Sequence, residues 1–192
     1  DFLNSLVPSC DIAGTQPASD WGRPDLTHAQ YAASRGWPAP PYVCLKNYYE
    51  VPKTQPGPGV PANSFTNGGN PPAGSVNAAQ MIYNAAAQYN ISPKVLLVKL
   101  DTESAGPLTR DTWPLQKQYT YAMGAHCPDS GPGGSANCDS TYAGFSIQIA
   151  EAAKLLRYYL DNMEQSWWPY KRPYQNNSIL WNVAPTGCGA SN

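Results

Sequence analysis

The chain has 192 residues and a formal net charge of −1, with 13% of its residues charged. This length holds one domain with a core plus an extension, and the low charge excludes the basic surface by which nucleic-acid-binding proteins engage phosphates. The sequence also lacks an apolar run near the roughly 20 residues of a membrane-spanning helix. We therefore expect neither nucleic acid as a partner nor a transmembrane segment.

Residues 1–74 are rich in Pro, Gly, Asn and Ser and show little sustained periodicity. They predict an irregular extension with one short helix, from about Leu26 to Ser34. The run from Pro52 to Pro72 has the composition of a linker. We place a domain boundary there and expect a helical domain over residues 75–192.

The five cysteines predict two disulfide bonds and one remaining thiol. Cys127 and Cys138 flank a loop rich in Gly and Pro, so we pair them with each other, and we pair Cys10 with Cys44 to staple the extension. For Cys188 the alternatives are a free thiol, a bond to another chain, and a partner beyond the end of this sequence.

Several features predict an extracytoplasmic location. Five Cys, 20 Pro and 16 Gly fit an oxidising compartment. The start at Asp1, without a basic or apolar leader, predicts a mature chain that has lost its signal peptide. We therefore expect a secreted or cell-surface protein.

The first long helix is predicted from Ser75 to Asn90. Its predicted buried stripe comprises Ala79, Ile82, Tyr83 and Ala86. Asn90 closes the segment, because asparagine is a common residue at the end of a helix.

The second long helix follows after a tight turn and ends in a carboxylate. Ser92 is a natural N-cap and Pro93 a natural first helical residue, which fixes the helical register. Leu96, Leu100 and Glu103 are then predicted to share one face. A carboxylate on a buried face is costly to ionise, which makes Glu103 a candidate general acid. The alternative is that Glu103 lies in the last, frayed turn and points to water.

A long irregular stretch from Gly106 to Gly144 precedes the third long helix, predicted from Ser146 to Met163. The predicted buried stripe of that helix is Ile149, Ala152, Ala153, Leu156, Tyr159, Leu160 and Met163. Long ordered loops often carry function, so we look for site residues between the second and third helices.

The polar surface has to come largely from Asn, Gln, Ser and Thr, beside 13 Tyr and 6 Trp. Amides pair with sugar hydroxyls and aromatic rings stack on sugar faces, so this composition suits a carbohydrate ligand. We expect Trp113, Tyr119, Tyr121 and Tyr142 to line a sugar groove. A place in the protein core is the alternative for each aromatic ring.

The two histidines do not indicate a metal or a nucleophile. His126 is followed by Cys127, but a disulfide would remove the thiolate that a Cys-His pair needs. His28 has no His, Cys or acidic residue at metal-ligand spacing on a helix face. We expect no metal and no other cofactor.

Sequence motifs over residues 75–165 resemble those of the lysozyme-like superfamily. The segment NAAQMIYNAAAQYNISPKVLLVKLDTES resembles the opening of soluble lytic transglycosylases, where a helix leads to a catalytic Glu-Ser pair. The segments WPLQKQYTYAMG, CPDSGPGGSANC and YAGFSIQIAEAAKLLRYY are similar to those of secreted, lysozyme-like bacterial proteins. The resemblance implies a mainly α, lysozyme-like helical domain, here preceded by the irregular, disulfide-stapled extension.

The resemblance also implies roles for individual residues. Glu103 corresponds to the catalytic acid, Ser104 to the neighbour that orients it, and Gln148 to an amide that faces the substrate. The implied activity is cleavage of the β-1,4 glycan strands of peptidoglycan or a related glycan, by a hydrolase or by an anhydro-forming lytic transglycosylase.

A second carboxylate would decide between these two outcomes. Asp101 is a poor partner for Glu103, because two helical steps place it on another side of the helix. Asp111, Asp129 and Asp139 in the long loop are candidates, and a turn or capping role is the alternative for each. Without such a partner, the resemblance implies that Glu103 acts alone and that a hydroxyl of the substrate closes an anhydro ring.

A second hypothesis is a non-catalytic, lysozyme-like surface or assembly protein that binds glycan or other chains. Gly144 and Gln148 are separated by three residues, whereas transglycosylases have a contiguous Gly-Leu-Met-Gln, and the later Ala-Tyr-Asn-Ala-Gly motif is missing. The odd cysteine would allow self-association or a larger extracellular assembly.

Overall fold

The structure, a computed structural model, describes residues 2–104, 107–167, 179–183 and 187–191. The helices are α1 (Phe2–Leu6), α2 (His28–Ser34), α3 (Ala78–Gln88), α4 (Pro93–Glu103), α5 (Gln116–Thr120) and α6 (Phe145–Asn162). The strands are β1 (Pro17–Ala18), β2 (Arg23–Thr27), β3 (Tyr49–Glu50), β4 (Val76–Asn77), β5 (Ile179–Val183) and β6 (Gly187–Ser191). The mainly helical class is thus confirmed.

The strands form three antiparallel pairs. β1 pairs with β2, β3 with β4, and β5 with β6. The β3–β4 pair brings residues 49–50 beside residues 76–77, so the extension ends next to the start of α3. The β3–β4 pair therefore joins the segment before the predicted linker to the segment that leads into α3.

The chain divides into two units, residues 1–154 and residues 155–192. The predicted domain boundary near residue 74 falls inside the first of these units. The extension has hydrophobic residues of its own to bury, and it shares a buried cluster with the long loop. That cluster comprises Ala18, Tyr31, Ala32, Tyr42, Trp113 and Leu115.

Helix α2 and both predicted disulfides are present. Thr27 caps α2 by accepting from the amide of Gln30, while the Gln30 side chain accepts from the amide of Thr27. The disulfides join Cys10 to Cys44 and Cys127 to Cys138. The side chain of Cys188 lies outside the described residues.

Helix α3 begins and ends through asparagine residues. The side chain of Asn77 accepts from the amide of Gln80 at 2.8 Å, and Asn90 closes the segment with φ of 50°. The buried residues are Ala78, Met81, Ile82, Ala85 and Ala86. Tyr83, which we placed on the buried stripe, is 62% exposed, so the true stripe starts one residue earlier than predicted.

The buried line of helix α4 differs from the predicted one at its last residue. Leu96 and Leu100 are fully buried, and Ser104, four residues further on, is 6% exposed. Val95 and Val98 are exposed despite their apolar side chains. The buried line therefore advances by four-residue steps and passes through Ser104 instead of Glu103.

Helix α6 buries its first half. Its buried residues are Phe145, Ser146, Ile147, Gln148, Ile149, Ala152 and Ala153. Tyr159 and Leu160, which we predicted to be buried, are 36% and 45% exposed. The stripe therefore stops earlier than its periodicity suggests.

A fully buried carboxylate caps the first turn of α6. Glu50 accepts hydrogen bonds from the backbone amides of Phe145 and Ser146 at 2.9 and 2.8 Å, and from the Ser146 hydroxyl at 2.7 Å. The hydroxyl of Tyr48 donates to it at 2.7 Å. A carboxylate there satisfies amides that have no partner within the helix and complements the helix dipole.

The described residues contain neither a membrane-spanning helix nor a cluster suited to a metal ion. Among them, no helix combines the length and hydropathy needed to cross a bilayer. In the same part of the chain, His, Cys, Asp and Glu do not gather in groups of three or more with an arrangement that would hold a metal ion.

Candidate active site

Glu103 is the last residue of α4 and faces solvent. Its side chain is 42% exposed, and Oε1 accepts a hydrogen bond from Nζ of Lys99 at 2.7 Å. Lys99 lies one helical turn earlier on the same surface. The structure therefore supports the second of our two alternatives, in which the Glu103 side chain points to water.

A glycine turn passes directly in front of this carboxylate. Gly124 has φ of 61°, and a Cβ placed on it would lie 3.2 Å from Oε2 of Glu103. Its amide donates to the carbonyl of Tyr121 at 3.1 Å, which closes the turn. The absence of a side chain lets the backbone adopt this conformation and approach the carboxylate closely.

Gln148 holds the turn in place from inside the protein. It is fully buried, and its Oε1 accepts from the amides of Met123 and Ala125 at 3.3 and 3.0 Å. Its Nε2 donates to the carbonyls of Ala125 and Tyr142, both at 2.9 Å. These four bonds use both donors and both acceptor positions of the amide.

The expectation that Gln148 faces a substrate is therefore corrected. The residue opens α6 on its buried side, where Phe145, Gln148 and Ala152 share one face. A buried amide must find partners within the protein. Here the backbone of Met123, Ala125 and Tyr142 supplies them. Gln148 thus positions the backbone opposite Glu103.

The other predicted site residues divide between the core and the surface. Ser104 is buried, and its hydroxyl donates to the carbonyl of Leu100 at 2.6 Å. Trp113 is 4% exposed and belongs to the buried cluster of the extension, so the core alternative describes it better than a groove wall. Tyr121 and Tyr142 are half-buried.

One face of Tyr142 is covered by an imidazole. His126 stacks on its ring with the centroids 3.5 Å apart, and Nε2 of His126 lies 3.2 Å from Oε2 of Glu151. Lys154 also donates to Glu151. The His126 ring therefore excludes a ligand from this face of Tyr142.

Three carboxylates of the long loop and of α4 serve local turns. Asp101 accepts from the amide and hydroxyl of Thr109 at 2.9 and 2.7 Å. Asp139 accepts from the amide and hydroxyl of Thr141 at 2.9 and 2.8 Å, and these two bonds hold the pKa of Asp139 below its ordinary value. We found the same turn role for Asp111, whose Oδ1 accepts from the amide of Trp113 at 2.9 Å.

A buried histidine cluster in the extension was not expected. Nδ1 of His28 lies 2.8 Å from Oδ2 of Asp11, and Nε2 lies 3.2 Å from Oδ1 of Asp20. The imidazole stacks on Trp113, with centroids 4.4 Å apart and planes 7° from parallel. These partners are 17 and 8 residues away from His28 along the chain, so helix spacing could not reveal them.

Asp11 is held as a carboxylate within this cluster. Its burial would raise its pKa, but the backbone amides of Gln16 and Thr15 and the imidazole of His28 together hold the pKa below the ordinary value. Both oxygens of Asp11 accept from this loop, Oδ1 from Thr15 and Oδ2 from Gln16. The cluster therefore fixes the chain between residues 11 and 28.

Comparisons of the chain with models of protein families, with curated proteins and with solved structures found no match.

Proposed function

We propose that this protein is a secreted, lysozyme-like glycanase that cleaves the β-1,4 strands of peptidoglycan with Glu103 as general acid. One observation carries the proposal. An exposed carboxylate ends a helix, and a glycine turn that a buried glutamine holds in place lies against it. The Glu-Ser pair of residues 103–104, which resembles that of lytic transglycosylases, stands at this position.

In the proposed reaction, Glu103 donates a proton to the glycosidic oxygen as the bond to the leaving sugar breaks. The sugar that remains develops oxocarbenium character. The Gly124 turn limits the positions that the carboxyl group and the sugar can adopt. Gln148 contributes by keeping that turn fixed, without contacting the substrate.

Lys99 has a part in the same step. Glu103 must carry a proton to act as the acid, whereas the ammonium of Lys99, 2.7 Å from Oε1, stabilises the ionised carboxylate, so the proposed role of Lys99 is confined to the state after proton transfer. The carboxylate then takes a proton from the group that attacks the sugar. Lys99 also restrains the carboxylate, since one of its oxygens stays bonded while the other faces the turn.

The geometry favours a single-carboxylate mechanism with an anhydro product. A two-carboxylate hydrolase needs a second carboxyl group about 5 to 9.5 Å from the first. Asp101, Asp111 and Asp139 are each engaged by local amides or hydroxyls, and Asp129, the remaining candidate in the long loop, is exposed. A hydroxyl of the substrate is therefore proposed as the attacking group that Glu103 deprotonates.

Digestion of purified peptidoglycan tests this function. The native chain is expected to release muropeptides with anhydro ends, as measured by mass spectrometry. Glu103→Gln is expected to lower the release rate about 100-fold or more, because the amide has nearly the same shape but no proton to give. Release of reducing ends would replace the anhydro mechanism by hydrolysis.

Glu164→Gln serves as the matched control, because Glu164 is also exposed and follows a helix end. It is expected to leave the rate unchanged. Failure of the folded native chain to release any fragment would refute the catalytic proposal. Binding to peptidoglycan without release would instead favour a non-catalytic, lysozyme-like binding module.

A further inference from the structure

A small cleft in the first unit is lined mainly by tryptophan and polar side chains. Among its lining residues are Trp21, Trp37, Asp111, Trp113, Lys117 and Gln118, and its volume is about 160 Å³. We call it the aromatic cleft. Cavities of about 150 Å³ hold a single six-membered ring, so the cleft has room for one ring-sized group.

Two tryptophans form walls at a steep angle to each other. Trp21 and Trp37 have centroids 5.5 Å apart and planes at 77°. Trp21 is 52% exposed although it contacts three other aromatic rings. An exposed tryptophan beside a concave surface offers an apolar ring face to a ligand.

The inner wall is fixed before any ligand arrives. The indole N–H of Trp113 donates to Oδ2 of Asp20 at 2.9 Å, and its ring stacks on His28. His28 is in turn held between Asp11 and Asp20. Because the Trp113 ring is restrained on one face and at its N–H, it loses little conformational entropy when a ligand binds.

The cleft also contains donors and an acceptor at its edge. Nε2 of Gln118 donates to Asp111 at 3.3 Å, and its Oε1 accepts from the amide of Leu115 at 2.6 Å. The ammonium of Lys117 lies 5.6 Å from the centroid of Trp37. A ligand there meets amide, carboxylate and ammonium groups next to indole faces.

The charges around Trp37 argue against a cationic ligand. Aromatic cages bind quaternary ammonium groups, but here Lys117 and Arg35 already lie over the Trp37 ring, at 5.6 and 5.9 Å from its centroid. A third cation would be repelled by both. A neutral group with an apolar face and hydroxyls around its edge fits this surface better.

We propose that the aromatic cleft binds one pyranose ring of a glycan, with the exposed Trp21 ring against its apolar face, Trp37 beside it, and Lys117, Gln118 and Asp111 at its hydroxyls. This site lies on the extension and on the loop after Glu103, and Glu103 is not among its lining residues. It is a binding site, separate from the proposed chemistry, and it does not require Glu103 to be catalytic.

Isothermal titration calorimetry with chitotetraose and cellotetraose tests this site. The Glu103→Gln protein serves as the parent, so that cleavage does not consume the probe. At least one of the two tetrasaccharides is expected to bind saturably. Trp21→Ala is expected to weaken that binding about tenfold, and Lys117→Met about threefold, because stacking contributes more than one exposed polar contact.

Trp167→Ala is the control, because Trp167 is 56% exposed and does not line the cleft. It is expected to bind as the parent does. Three results would each overturn the proposal: no binding of either tetrasaccharide by the folded protein, equal weakening by Trp167→Ala, or Trp21-dependent binding of tetramethylammonium in place of sugar. Since the parent lacks Glu103, none of these results depends on glycan cleavage.

Discussion

Glu50 and Glu103 are two glutamates at helix ends in opposite environments. Glu50 is fully buried at the start of α6, where four groups donate to its carboxylate. Glu103 ends α4 with an exposed side chain, and among the described residues its carboxylate pairs with Lys99. The sequence pattern left burial and exposure open for Glu103 and carried no signal at Glu50.

Glu50 and Glu103 differ in how far along the sequence their contacting residues lie. The lysine that bonds to Glu103 lies one turn earlier on the same helix, and the carboxylate stays exposed although the Gly124 turn lies close to it. Glu50 lies on a short strand, and its helix partners follow 95 and 96 residues later. Burial of a carboxylate is thus decided by packing between distant segments, together with the donors that offset its desolvation.

The largest expected effect is at Glu50. Glu50→Gln puts an amide NH₂ near the amides of Phe145 and Ser146 and removes the negative charge from the helix N-terminus. We expect the free energy of unfolding to fall by about 3 kcal/mol. Urea denaturation followed by circular dichroism measures this change.

The control for that experiment is Glu164→Gln, at an exposed position, which is expected to change the free energy of unfolding by less than about 0.5 kcal/mol. A loss below about 1 kcal/mol for Glu50→Gln would show that the four contacts of Glu50 add little to stability. The contrast between the two glutamates would then concern solvent exposure alone.

Local patterns predicted much of the helical structure. The prolyl start of α4 and the closing Asn90 are local signals, and the helices they predicted are present. The predicted cysteine pairs are both present: Cys127 and Cys138 flank the glycine-rich loop, and Cys10 and Cys44 both lie in the extension. Such signals act within a few residues or depend on a small number of cysteines.

Side-chain environments at the site were harder to predict. Glu103 is three residues beyond Leu100, whereas the buried line of α4 continues four residues beyond it, at Ser104. Gln148 did carry a usable signal, because it shares a face with Phe145 and Ala152. The roles of Trp113 and His28 depend on contacts between the extension and the long loop, which no local pattern encodes.

An intermediate loss of stability is expected for a substitution at Gly124, next to Glu103. Gly124→Ala forces a side chain into a left-handed conformation, which costs about 1 kcal/mol, and places its Cβ 3.2 Å from the Glu103 carboxylate. Gly68→Ala is the matched control, because Gly68 has the same φ of 61° and nothing within 4 Å of the added carbon. We expect Gly124→Ala to be the more destabilising of the two.

A double-mutant cycle separates the backbone cost from the contact. In a Glu103→Ala background, the cost of Gly124→Ala is expected to fall to that of Gly68→Ala, with a coupling of about 0.5 kcal/mol between positions 103 and 124. Urea denaturation of the four proteins gives this coupling. Strict additivity would mean that the turn does not press on the carboxylate.

The smallest expected change in stability is at Lys99. It tests directly how little the exposed Glu103 depends on its ion pair. Lys99 and Glu103 form an i, i+4 pair whose side chains are 26% and 42% exposed. Water and salt screen such pairs, so Lys99→Gln is expected to lower the free energy of unfolding by less than about 0.5 kcal/mol. Urea denaturation at low and high NaCl measures this value, and the difference between native and variant should shrink as salt is added. A loss above about 1 kcal/mol that salt leaves unchanged would mean that Glu103 depends on its one partner as Glu50 depends on its four donors.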